Sequence, residues 1–176
     1  MAKLLQIAEL EWPVLRKQAE AVQAITDPVI QDLIDDMLAT LNEIATFGLA
    51  ASQVHSATRI FIMASRPTLY YPDVPQMDPT AVINPRILVK SQEMVEGWER
   101  CLSVPGMRGL VPRHKQIDVE YSTRDGKQVN TTFHGMLAVI FQHEFDHLDG
   151  IVYLDRMVDM RNLATEKEFQ RLQNKT

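Results

Sequence analysis

The stretch Met136-Leu137-Ala138-Val139-Ile140-Phe141-Gln142-His143-Glu144-Phe145-Asp146-His147-Leu148-Asp149 decides how this chain folds. Its first half is apolar on every side, the pattern of a helix with protein all round it. Gly150 follows at once, where a left-handed cap would fall. The run therefore predicts a buried helix over 136–149. His143 and His147 are four residues apart, so their imidazoles leave the same helix face one turn from each other. Two imidazoles placed in this way can converge on one metal ion. Glu144 follows the first histidine and lies beside that ion, where it can take a proton from water. Burying two histidines and a carboxylate in an apolar helix is costly unless they are paired or bound. A hydrogen-bonded core cluster is therefore the weaker reading.

Around this helix, the chain reads as an α+β protein. Antiparallel β-sheets pack around the central helix, with an amphipathic helix before them and a further helix at the C-terminal end. The first helix is expected over Pro28–Ile44, where Ile30, Leu33, Ile34, Met37, Leu38 and Leu41 recur at helical spacing. Asp27 is placed to cap it, and Pro28 occupies its first turn. Short apolar runs at 59–63 and 81–83 read as strands. Between them, Pro67, Pro72, Pro75 and Pro79 make 66–79 a loop. Ile117, Val119 and Tyr121 alternate with polar neighbours, as in a strand with one wet face. Asp125-Gly126 is a turn signal, and 127–133 returns as the partner strand. Residues 159–176 read as a surface helix, weakly anchored by Leu163 and Phe169.

Length and composition narrow the function classes. A chain of 176 residues, 45% hydrophobic and 23% charged, fits a single domain over 1–176. Cys101 is the only cysteine, so no disulfide forms within the chain and a reducing compartment suits it. No apolar run reaches the roughly 18 residues of a membrane span. The first residues, Met1-Ala2-Lys3-Leu4-Leu5, lack the core of a signal peptide. The formal net charge is -5, which does not suit a nucleic-acid surface. The expectation is a cytoplasmic protein with no membrane contact and no direct nucleic-acid site.

A catalytic metal site of the zinc type keeps three protein ligands and one open position. Downstream of the motif the chain reads His147-Leu148-Asp149-Gly150-Ile151-Val152-Tyr153. Tyr153 stands where a metzincin protease has its third histidine. A thermolysin-type endopeptidase takes a glutamate farther along, and Glu166 stands near that place. The remaining candidate is Cys101, upstream, whose thiolate is a strong ligand for divalent iron or zinc. A lone buried cysteine is usually a small apolar residue, so its neighbourhood has to decide.

That neighbourhood is Glu99-Arg100-Cys101-Leu102-Ser103-Val104-Pro105-Gly106. With Gly48-Leu49-Ala50-Ala51-Ser52-Gln53 before it and His143-Glu144-Phe145-Asp146-His147 after it, the chain resembles the bacterial type of the peptide deformylase family. The resemblance continues through Asp27-Pro28, Ile83-Asn84-Pro85, Leu110-Val111-Pro112-Arg113 and Asp125-Gly126. It implies a metal-dependent hydrolase that removes the formyl group from N-formylmethionine at the N-terminus of newly synthesised polypeptides. It implies that Cys101, His143 and His147 hold one divalent ion. Fe2+ is favoured in the cell, and Zn2+, Ni2+ or Co2+ can stand in purified protein. Glu144 is then the acid–base, and the Gln53 amide and Leu102 backbone N–H stabilise the oxyanion. Phe47, Met136, Val139 and Ile140 would surround the methionine side chain. Gly48, Arg100 and Leu102 would lie along a substrate that adds as a strand to a sheet edge. The implied partners are N-formylmethionyl peptides and nascent chains. The segment 167–175, with Lys167, Glu168, Arg171 and Lys175, reads as a solvated helix face or a transient ribosome contact.

The chain departs from the family pattern in three places. Thr46 stands at the first glycine of the first motif, and Arg100 stands at the glycine before the metal cysteine. Side chains there narrow the site or add charge to it. Glu99 calls for an arginine partner, but the aligned position holds Glu120, which leaves Arg100 and Arg113 as candidates. Two other functions compete: a zinc endopeptidase of the thermolysin type, and a deformylase-like binder of formyl peptides without turnover.

Overall fold

In a computed structural model that describes residues 2–68 and 72–173, helix α1 spans Pro28–Ile44, as its sequence predicts. The Asp27 carboxylate accepts from the Val29 backbone N–H and closes the first turn. The helix ends at Ala45, which takes a left-handed conformation. Seven strands lie between the first two helices: β1 (Gly48–Ala50), β2 (Ile60–Ser65), β3 (Met77–Lys90), β4 (Met94–Cys101), β5 (Val104–His114), β6 (Gln116–Ser122) and β7 (Gln128–His134). Helix α2 follows at Gly135–Leu148, then strand β8 at Leu163–Thr165 and helix α3 at Glu166–Gln173.

The strands make two antiparallel sheets, one in the order β1-β2-β3-β6-β7 and one in the order β4-β5-β8. Strand β2 shows how the layers are set. All six of its residues are buried, because both faces of the sheet are covered. Ile60, Ile62 and Ala64 face one way, with Ile34, Met37 and Leu41 of α1. Phe61 and Met63 face the other, with Ala138, Phe141 and Leu148 of α2. The Phe61 and Phe141 rings meet edge to face at 5.1 Å. A strand buried on both sides loses the polar alternation of a half-exposed one, which is why 59–63 reads as a plain apolar run. The second sheet closes over the other side of α2 with Cys101, Val104, Val111 and Tyr153. The chain is thus α+β with antiparallel sheets, and α2 runs between them.

Several expectations shift. Helix α2 starts one residue earlier and ends one residue earlier than 136–149, with Gly150 left-handed at φ +74°. Its first half is not enclosed throughout, since Met136, Leu137 and Val139 are only half-buried. The 66–79 loop ends sooner than its prolines suggest, because β3 begins at Met77 and takes Pro79 into a strand. At that end β3 pairs only with β2; its ladder with β6 begins at Ile83. The outer edge of Pro79 therefore owes no hydrogen bond. Part of that loop, 69–71, lies outside the described residues. Strands β4 and β5 have no clean sequence signal, since Gly97, Pro105, Gly106, Gly109 and Pro112 interrupt their pattern. At the C-terminal end, 159–176 is not one helix. Met160–Asn162 makes a single 3-10 turn, Leu163–Thr165 pairs with 107–109 of β5, and among the described residues of this stretch only Glu166–Gln173 is α-helical. The free edge of β5 captures this segment because an unpaired ladder is worth completing. Residues 174–176 lie outside the described residues. Among the described residues no helix is long and apolar enough to cross a membrane.

The two sheets share one consequence for function. Strand β1 is the edge of the first sheet and β4 is the edge of the second. Each offers one unpaired side, and the motif residues Gly48 and Cys101 sit on these two strands.

Candidate metal centre

Helix α2 presents His143 and His147 on one face, with ring centroids 5.1 Å apart. Cys101, at the end of β4, brings its Sγ to 3.2 Å from His147 Nε2. One ligand atom from each of Cys101, His143 and His147 lies within 4.8 Å of the other two. This is the spacing of donors arranged around one ion, and thiolate with two imidazoles is a set for a divalent transition metal. Burial alone would raise the Cys101 thiol. The charges and hydrogen bonds of His147 and His143 outweigh it and hold the thiol well below its usual value. The cysteine is thus prepared as the thiolate that binds metal.

Behind the ligands lies a buried chain of charges. His143 Nδ1 donates to Glu99 Oε2 at 2.7 Å, which fixes the ring and leaves its other nitrogen for the cluster. Arg113 grips the same carboxylate with two bonds, Nε to Oε1 at 2.7 Å and Nη2 to Oε2 at 2.9 Å. Its third arm, Nη1, reaches Asp146 Oδ2 at 2.5 Å, and Arg156 holds Asp146 from outside. Burial would raise Glu99, but the hydrogen bonds from Arg113 and His143 win and bring it down to about 2. Glu99 is therefore a carboxylate at any physiological pH. Its partner is Arg113. Glu120 lies on the other sheet and pairs with Arg86, so aligning by motif pointed to the wrong strand.

Glu144 stands apart from this network. It is buried, and its Oε2 has no hydrogen-bond partner among the described residues. Burial pushes its carboxyl up to about 7. A cation on the neighbouring ligands would pull it back down. The close approach of β1 sets its position. A Cβ on Gly48 would lie 2.1 Å from Glu144 Oε1 and 2.4 Å from its Cδ. Gly48→Ala is therefore expected to push the carboxylate aside and cut turnover by about 10²-fold, the effect of a displacement near 1 Å. Steady-state kinetics beside a melting curve would check it. Full activity in the variant would mean that Glu144 can move without cost.

Gln53 is only 1% exposed. Its Oε1 accepts from the Ala50 N–H at 2.9 Å, so the amide is oriented. Its Nε2 then faces Cys101 Sγ and Ser103 Oγ, each at 3.3 Å. Leu102 follows Cys101 in the turn between β4 and β5. Phe47, Met136 and Ile140 pack in one cluster, with half-buried Val139 on the same helix. Thr46 is half-buried beside Phe47. Arg100 is exposed and lies between the inward-facing Glu99 and Cys101.

The two protease-type alternatives for a third ligand both lie outside the cluster. Glu166, which a thermolysin-type site would need, is outside the ligand cluster and bound to Arg108 by two bonds of 2.5 and 3.1 Å. Tyr153, at the position of a metzincin's third histidine, is not a ligand in the cluster. Its ring stacks over His143 at 6.4 Å, and its buried hydroxyl has no partner among the described residues. Sequence reasoning gave no role to Asp146 or Arg156. Asp146 carried a signal, an acid inside a buried helix, but Arg156 carried none.

The family described as polypeptide deformylase matches residues 4–163. A curated relative named peptide deformylase 2, from Nostoc sp., is 51% identical over 173 residues, covering 98% of this chain and 97% of its own. Another of that name, from Shewanella oneidensis, is 43% identical over 166 residues, covering 93% and 91%. A Met-Ala-Ser-bound crystal structure of a class I type b peptide deformylase from Acinetobacter baumannii superposes with a TM-score of 0.85 at 42% identity. It covers 89% of this chain and all of that one (100%). A peptide deformylase from Synechococcus elongatus in complex with actinonin gives 0.80 at 30% identity, covering 90% and 81%.

Proposed function

The chain belongs to the peptide deformylase family, and we propose that it hydrolyses the formamide of N-formylmethionine at the N-terminus of newly made polypeptides. The observation that carries this reading is the meeting of three ligand atoms within 4.8 Å beside an unpartnered buried carboxylate. Cys101, His143 and His147 would hold one divalent ion, Fe2+ in the cell. When bound, such an ion supplies Lewis acidity and makes water a stronger acid.

The rest is the work of the chain's own residues. Glu144 Oε2, free of any partner among the described residues, takes the proton of the attacking water. It then returns that proton to the departing amine, so one carboxylate serves both halves of the reaction. The Gln53 amide, fixed by Ala50, and the Leu102 N–H donate to the formyl oxygen as negative charge develops there. Phe47, Met136, Val139 and Ile140 take the methionine side chain into an apolar pocket. An extended substrate fits between the two free strand edges, with Gly48 on one side and Arg100 on the other. The Acinetobacter enzyme's bound Met-Ala-Ser supports a peptide of that length as the ligand. Nascent chains in the cytoplasm are the natural substrates on this reading.

The test is formate release from formyl-Met-Ala-Ser by protein prepared without oxygen and loaded with iron. Steady turnover is expected. Cleavage of internal peptide bonds without formate, with metal lost in Glu166→Ala, would favour the endopeptidase. Tight binding without formate would favour the binder.

A further inference from the structure

Arg100 has a setting that the reaction itself does not explain. Glu99 and Cys101 both turn inward, bonded to Arg113 and to the histidines. Arg100 therefore projects from the opposite face of β4, the face it shares with Trp98. That face meets helix α3: Trp98 packs on Phe169 at 5.2 Å, and the Arg108 guanidinium lies 4.6 Å above the same ring. The nearby anion is already committed. Both oxygens of Glu166 bind Arg108, and Gln170 takes one of them as well. Arg108 is what chiefly holds Glu166 below the usual carboxylate range, with Arg100 contributing more weakly from a distance. Arg100 forms no hydrogen bond or ion pair of its own among the described residues. Arg100 is thus left as an exposed cation without a paired anion among the described residues, on a chain whose net charge is -5.

The backbone there is open too. β4 is the edge strand of its sheet, and its ladder with β5 slips between Glu99 and Cys101. The extra residues belong to β5, where 105–108 stand against Arg100 alone and 107–108 pair with β8 instead. Arg100 is therefore outside the β4–β5 ladder, one step from a metal ligand. A substrate strand laid along this edge brings the residues after its methionine opposite Arg100.

Resting on the deformylase reading, we propose that Arg100 selects substrates with an acidic side chain in the two residues after formyl-methionine. A cross-strand pair of opposite charge is worth a factor of about 1.5–5, and a like-charged pair costs about as much. Acidic peptides should therefore exceed basic ones by about 2- to 20-fold in kcat/KM. Added salt should shrink the ratio, because Arg100 is exposed.

The experiment compares formyl-Met-Asp-Ser, formyl-Met-Ala-Asp, formyl-Met-Lys-Ser and formyl-Met-Ala-Lys, with formyl-Met-Ala-Ser as reference. It uses the iron-loaded parent, Arg100→Gly and Arg100→Glu. The ratio should favour acid in the parent, collapse toward one in Arg100→Gly and invert in Arg100→Glu. Equal rates for acidic and basic peptides in the parent, or a preference that survives Arg100→Gly, would overturn the proposal. Calorimetric binding of the matching unformylated peptides reads the same ratio without turnover. A chain that released no formate would refute the deformylase reading, yet Arg100 would still pass or fail on its own.

Discussion

Glu144→Gln should lose about 10²–10⁴-fold in kcat, the usual worth of a positioned general acid–base, and keep its metal. The amide has the shape of the carboxylate but cannot take a proton from water. KM should change little, because the role is played in the transition state rather than in holding the peptide. The thermal midpoint should not fall. A buried carboxylate without a partner costs stability, and Glu144 Oε2 is in that position among the described residues. The variant is thus expected to be at least as stable as the parent and nearly inactive. Formate assays, metal analysis and melting curves on one preparation would check all three. Activity within tenfold of the parent would remove Glu144 from its role. Loss of the metal would make it a ligand instead.

Arg113→Met is expected to have the largest effect on folding. Arg113 is only 4% exposed and neutralises two buried carboxylates, Glu99 and Asp146. Removing it leaves Glu99 with a single histidine and Asp146 with the half-exposed Arg156. Breaking a buried pair from one side costs about 3–5 kcal/mol, a large share of the roughly 5–15 kcal/mol that holds a domain together. Chemical denaturation of metal-free protein would measure it, because a bound ion adds stability of its own. Replacing Glu99 and Asp146 by their amides in the same chain should recover part of the loss. Glu99 also orients His143, so any folded Arg113→Met protein should bind metal about 10–100-fold more weakly. A stability change under 1 kcal/mol would show that water reaches the network.

Much of this was legible in the sequence wherever the signal is local. Asp27-Pro28 and the apolar stripe that follows mark α1 to the residue, because cap and periodicity lie within one turn of each other. Asp125-Gly126 marks the β6–β7 hairpin, and Gly126 has the positive φ that such a turn requires. The ligands were legible because the three motifs carry them in order. Long-range pairing was not legible. Arg113 reaches Glu99 across 14 residues of the β4–β5 hairpin, whose glycines and prolines hide its register. Arg156 arrives from the segment after α2, and nothing in its sequence neighbourhood points to Asp146. Leu163–Thr165 looked helical because its own residues do not object to a helix; the open edge of β5 decided otherwise. The orientation of Arg100 falls in the same class. Its identity departs from the family pattern, but only the alternation of β4 and the packing of α3 show which way it faces.

One metal ion, held by Cys101 with the two histidines, is what we propose makes this fold a deformylase. The most direct test measures bound metal and formate release together, in anaerobically iron-loaded parent and Cys101→Ala, with formyl-Met-Ala-Ser as substrate. One ion per chain and steady formate release are expected in the parent, with both lost in Cys101→Ala while the fold persists. A Cys101→Ala protein that kept its iron and released formate at the parent's rate would contradict the proposal.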